Sequence, residues 1–126
     1  TKGMEAARTA RAVVTLLVLD LLWVCVVMAP RYRDMVRTVQ GREMRARAAP
    51  AVAAYACMAV GLCAFVLVRD RPWESVRRGV LFGALVYGVY NGTCMAIFED
   101  WDLAVAALDV AWGAALYGAS AASAFL

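Results

Sequence analysis

Histidine is absent from this 126-residue chain. With it go the commonest metal and haem ligand and the side chain best suited to shuttle protons near neutral pH. Cysteine is scarce. Cys25, Cys57, Cys63 and Cys94 form no CxxC pair and all lie in apolar surroundings, so no disulfide framework is expected and four small core residues are. There is also no nucleophile–base pair, phosphate-binding loop or cluster of metal-ligating side chains, and the chain is expected not to be an enzyme. Net charge is small, +3 from 13 basic and 10 acidic residues, and says nothing useful about nucleic acid, which is not among the expected partners. The arginines flank apolar runs, where headgroup contact and topology account for them.

What is present is apolar. The sequence is 64% hydrophobic, against roughly 45–50% in soluble domains, and the apolar residues are gathered into blocks. Four blocks approach the ~20 residues that cross a bilayer as a helix: residues 12–29, ended by Pro30; 50–68, opened by Pro50; 79–98, with an earlier start at Pro72; and 103–126, with Asp102 as N-cap. Each mixes alanine, glycine and aromatics, and a backbone in lipid must satisfy its own polar groups. The expected fold is an all-α membrane protein, a single four-helix transmembrane bundle.

Four spans place both termini on one side of the membrane. That side, A, carries Lys2, Arg8, Arg11, Arg69, Arg71, Arg77 and Arg78; side B carries Arg31, Arg33, Arg37, Arg42, Arg45 and Arg47. The basic residues divide almost evenly, and the reading leans to termini on the cytosolic, matrix or stromal side. Between the first two blocks, Tyr32, Met35, Val36 and Val39 recur at helical spacing among the side-B arginines. This predicts a basic amphipathic segment in the headgroups, touching anionic lipid or a partner, with a solvated basic loop as the alternative. Trp73 and Trp101 are expected as interfacial anchors at opposite ends. The short basic stretch 1–11 is compatible with the remainder of a transit peptide. Lipids and other membrane-protein subunits are the expected partners. No cofactor is indicated, and lipid or pigment contact at the periphery stays open.

The apolar blocks hold residues that lipid does not favour. Asp20 lies mid-block with Trp23 three residues on, and Asp109 with Trp112 repeats the pattern (LDLLW, LDVAW). A carboxylate at such depth costs about 2.5–3.5 kcal/mol on insertion scales. At 1.5 Å per residue, Asp20, Tyr55, Asn91 and Asp109, one from each block, fall within roughly 6 Å of a common depth. Two readings stay open. One is interhelical hydrogen bonding of the aspartates to Tyr55, Tyr87, Tyr90, Asn91, Thr93 or a tryptophan indole. The other is a proton or ion path or ligand pocket, in which Asp20 and Asp109 share a proton. Glu99, Asp100 and Asp102 read as a solvated turn. Gly79-x-x-x-Gly83, Gly88-x-x-x-Gly92 and Gly118 (between Ala114 and Ala122) are expected to allow close helix packing, within the bundle or against a partner's helix.

LDLLW in the first block, the glycine-rich third block with Tyr87 and Tyr90-Asn91-x-Thr93, Trp101, and LDVAWG in the fourth together resemble the small membrane proteins of domain of unknown function 2177. The resemblance runs from about Val14 to the C-terminus, and its motifs keep their order and intervals. It implies a four-helix membrane bundle and no established reaction. The family's third-span motif is closer to Tyr-Asp-x-Thr-Asn. Asn91 and Cys94 stand here for the acid and the amide, which depletes any proton- or ion-handling core. The expected role is therefore a small accessory subunit of a larger, organellar energy-converting membrane assembly, in an organellar inner or thylakoid membrane or alternatively a bacterial inner membrane. The alternative role is a proton- or ion-coupled transporter using Asp20 and Asp109.

Overall fold

A computed structural model describes residues 1–126. Four helices and no strand make the fold: α1 (Lys2–Gln40), α2 (Ala48–Val66), α3 (Pro72–Ile97) and α4 (Leu103–Ser123), each long and apolar enough to cross a membrane. Their ends follow local chemistry. Gly41 takes the left-handed conformation, φ +71°, and closes α1 by returning its N–H to Arg37 at 2.8 Å. Leu67 turns extended after a π turn over Leu62–Val66, its N–H reaching back five residues to Leu62. Pro72 starts α3, and the buried Ser75 hydroxyl holds the preceding loop by accepting from the Val68 N–H (2.8 Å) and donating to the Val68 carbonyl (3.2 Å). Asp102 caps α4, accepting from the Ala104 N–H at 2.8 Å.

Pro30 does not end the first helix. It lacks an N–H, and its ring would crowd the carbonyl four residues back. A π turn over Trp23–Met28 widens the helix just ahead of it, and α1 runs on to Gln40. The basic amphipathic segment is thus the far end of α1, not a separate interfacial helix. Met35 is buried and Tyr32, Val36 and Val39 are half-buried, while Arg31, Arg33 and Arg37 face out. Arg37 pairs with Glu43; Arg42, Arg45 and Arg47 are exposed in the following loop. At 39 residues α1 is about 58 Å long, well beyond a ~30 Å hydrocarbon core, so its charged ends extend past the lipid.

The tightest pair is α3 with α4. A Cβ on Gly79 would lie 2.5 Å from the Tyr117 carbonyl, and one on Gly83 would collide with the Gly113 carbonyl. Gly113 receives the Tyr87 ring and Gly118 the Val80 side chain, while on α2 Gly61 receives Phe82. Gly88 and Gly92 do not join this packing: nothing lies within 4 Å of where their Cβ atoms would be. The physical reason is helical phase. At about 100° per residue, Gly88 lies roughly 140° round α3 from Gly83, and Gly92 lies opposite it.

Two apolar clusters fill the bundle. The larger, on side A, holds Ala12, Leu16, Leu62, Val66, Leu116, Tyr117, Ala121 and Ala124; the smaller, on side B, holds Met28, Met35 and Val105. α2 joins through its last turns, while its first turns lie largely free, with Val52 67% exposed. The cysteines are not core residues. Cys25, Cys57 and Cys63 are exposed, Cys94 is half-buried, and all four are free thiols. They sit on the outward faces of their helices, where lipid accepts them as readily as a core does.

On side A the termini and the α2–α3 loop meet. Arg11 donates to the Ala124 carbonyl (3.0 Å), and Arg8 lies over the Phe125 ring (5.0 Å) and pairs with Asp70 (2.7 Å). The hydrogen bond from Arg8 holds the Asp70 carboxyl below its ordinary value.

Candidate functional site

Between the two apolar clusters lies a polar layer built by periodicity. On α1, Ala12, Leu16 and Asp20 are buried at four-residue steps; on α3, Gly79, Gly83, Tyr87 and Asn91 keep the same step and face α4. On α4, Val105, Asp109 and Gly113 do likewise. Each stripe is apolar or small until it reaches this depth and then presents a polar side chain.

Asp20 and Asp109 are each 5% exposed. Asp20 Oδ1 accepts from the Trp112 indole N–H (3.1 Å) and the Tyr87 hydroxyl (3.3 Å). Asp109 accepts from the Tyr32 hydroxyl at Oδ1 (2.8 Å) and the Asn91 amide at Oδ2 (2.7 Å). Asn91 also donates to the Tyr87 carbonyl (2.9 Å), and its own carbonyl accepts from the Trp101 indole (3.4 Å). One chain of hydrogen bonds therefore links three helices, α1, α3 and α4. No hydrogen bond joins the two carboxylates directly: each aspartate has its own pair of neutral donors. No lysine or arginine pairs with either.

Tyr55, the contribution of α2 to the expected layer, stands half-buried beside Asp20. Trp23 stacks on Trp112 with ring centroids 4.4 Å apart and planes 4° from parallel. Its buried indole N–H has no partner. Tyr90 is 57% exposed and meets Trp101 edge-on (6.2 Å), and Thr93 is exposed. Neither reaches an aspartate. Trp73 is exposed at the start of α3, whereas Trp101 turns inward to Asn91.

Sequence reasoning missed Tyr32 and Trp101. Twelve residues of regular α-helix would put Tyr32 about 120° round α1 from Asp20. One residue absorbed by the π turn reduces this to about 20°. A proline after an apolar run that keeps its helical pattern beyond it was the available signal.

Access to the layer is uneven. The eight-residue cluster lies between it and side A. On side B the three-residue cluster separates it from an open concavity of about 400 Å³ bearing Arg31, Asp34, Thr38, Asp100 and Asp102. No group of His, Cys, Asp or Glu here is arranged to hold a metal ion. Between α2 and α3 a second concavity of about 480 Å³ has mostly apolar walls that include Tyr87.

Comparison with curated proteins and with solved structures finds no match. The family described as Predicted membrane protein (DUF2177) matches residues 7–126, nearly the whole chain and all four helices, and the chain belongs to that family.

Proposed function

We propose that this chain is a non-enzymatic integral membrane protein acting as a small accessory subunit of a larger membrane assembly. The observation that supports the reading is the unequal use of its helix surfaces. α3 and α4 are packed backbone to backbone, yet the first turns of α2 are largely exposed, and nothing lies within 4 Å of a Cβ built on Gly88 or Gly92 of α3. Outside a membrane assembly only lipid would cover them. Small residues four apart let another helix approach closely, and the exposed arginines after Pro30 suit anionic headgroups or an acidic neighbour. Native-gel migration of mildly solubilised source membranes, with mass spectrometry of the co-migrating proteins, tests this and identifies the membrane. The wild-type chain is expected at high mass with other subunits. Gly88→Leu is expected to release it while far-UV circular dichroism stays unchanged. Migration of the wild type as a small monomer or homo-oligomer overturns the reading.

A second reading, proton- or ion-coupled transport, is favoured by one observation: two buried carboxylates supported by neutral donors alone. Transport requires the side-A cluster to open. In liposomes loaded with a pH-sensitive dye, Asp20→Asn is expected to abolish proton flux without loss of folded protein. Flux that survives the substitution removes this reading.

A further inference from the structure

We propose that the groove between α2 and α3 is a binding site for a lipophilic cation, a positive charge carried on an apolar body. The proposal goes beyond the assembly reading and depends on neither function above. At about 480 Å³ the groove is in the range of small-molecule sites. It opens sideways between two membrane-spanning helices, so its occupant arrives from the lipid phase. Met58 and Cys57 form one wall, Phe82 and Tyr90 the other, with Tyr87 and Tyr117 also lining it.

Charge selects the occupant. The Tyr87 hydroxyl donates to Asp20, and the Tyr117 hydroxyl to the Met58 carbonyl at 3.4 Å. Tyr117 is fully buried behind the groove, so the half-buried Tyr87 ring is the one that both borders the groove and bonds to Asp20. A phenol that donates to a carboxylate gains electron density, and its face becomes a better seat for a cation. Asp20 itself has no lysine or arginine partner. A buried carboxylate without a paired charge favours a counter-charge nearby, and a cation in the groove lies one tyrosine ring away from it. An anion there would be repelled. A hydrated metal ion would exchange its water for walls that hold no carboxylate or amide oxygen.

The test uses the full chain in lipid nanodiscs with radiolabelled tetraphenylphosphonium, whose charge does not change with pH, and triphenylphosphine oxide as a neutral aromatic comparison. Saturable binding of the cation above empty nanodiscs is expected, with the neutral compound at least tenfold weaker. Asp20→Asn is expected to weaken cation binding at least tenfold. Val86→Trp, which fills the groove from a 38% exposed position, is expected to abolish it with Asp20 intact, and keeps the test decisive if the Asp20 variant does not fold. No saturable binding overturns the proposal. So does equal binding of the neutral compound, or parent-like affinity in Asp20→Asn, either of which makes the groove a lipid-tail site.

Discussion

Gly83→Ala is expected to destabilise the bundle severely, and Gly83→Leu to prevent its folding. The new Cβ falls onto the Gly113 carbonyl, and the atoms it meets first are backbone. No rotamer change relieves the overlap, so α3 and α4 must separate. That separation loosens Gly79 against Tyr117 and Tyr87 against Gly113 along the same stripe. Inserting a methyl where neighbours cannot yield costs about 1–3 kcal/mol in ordinary cores. Here the collision is with main chain, and a loss of about 3–5 kcal/mol is expected. Five and nine residues further on, the same substitution has the opposite sign. Gly88→Ala and Gly92→Ala meet nothing within 4 Å and recover the helical disadvantage of glycine, about 0.5–1 kcal/mol. Denaturation in detergent followed by far-UV circular dichroism measures both. Parent-like unfolding of Gly83→Ala would show that the α3–α4 contact does not govern stability.

That contrast marks how much was legible in the residues. The two glycine pairs of α3 carry the same motif, and the motif alone does not say which packs. Helical phase does. Gly79, Gly83, Tyr87 and Asn91 follow one another at four-residue steps, and Gly88 and Gly92 fall on other sides of the helix. The four spans, the Asp102 cap and the common depth of Asp20, Asn91 and Asp109 were readable because hydropathy, capping and rise per residue are local properties. The continuation of α1 through Pro30 was not. It depends on a π turn whose cost is repaid by distant contacts: Trp23 on Trp112, and Tyr32 on Asp109. The inward turn of Trp101 rests likewise on an acceptor, Asn91, on another helix. The loose attachment of α2 had no sequence signal, because a helix facing lipid and one facing protein within a membrane carry the same apolar composition.

Asp109→Ala is expected to be the most damaging change in the polar layer, and the way it couples to its neighbours tells what the layer is for. Two donors lose their acceptor, the Tyr32 hydroxyl and the Asn91 amide, at 2.8 and 2.7 Å. Asn91 retains the Tyr87 carbonyl, whereas Tyr32 has no other partner. Leaving a buried donor unpaired costs about 1–3 kcal/mol, so a total loss of about 2–4 kcal/mol is expected. Interhelical hydrogen bonds in membranes average only about 0.6 kcal/mol, because the separated helices find other partners. Asp109 should exceed that average, since its bonds are short, the acceptor is a carboxylate, and the site lies between two dry clusters. A double-mutant cycle with Tyr32→Phe isolates the pair and is expected to give a coupling of about 1–2 kcal/mol. Coupling near zero would remove Asp109 as the clasp between α1 and α4. Asp109→Asn then separates shape from charge. Its carbonyl still accepts from one neighbour, and the Tyr32 hydroxyl can rotate to accept from its amide. If the asparagine variant is as stable as the parent, the bundle needs an acceptor of this shape and not a negative charge. The carboxylate is then free to serve chemistry that an amide cannot. If asparagine costs as much as alanine, the charge itself holds the helices, and the polar layer is a structural joint.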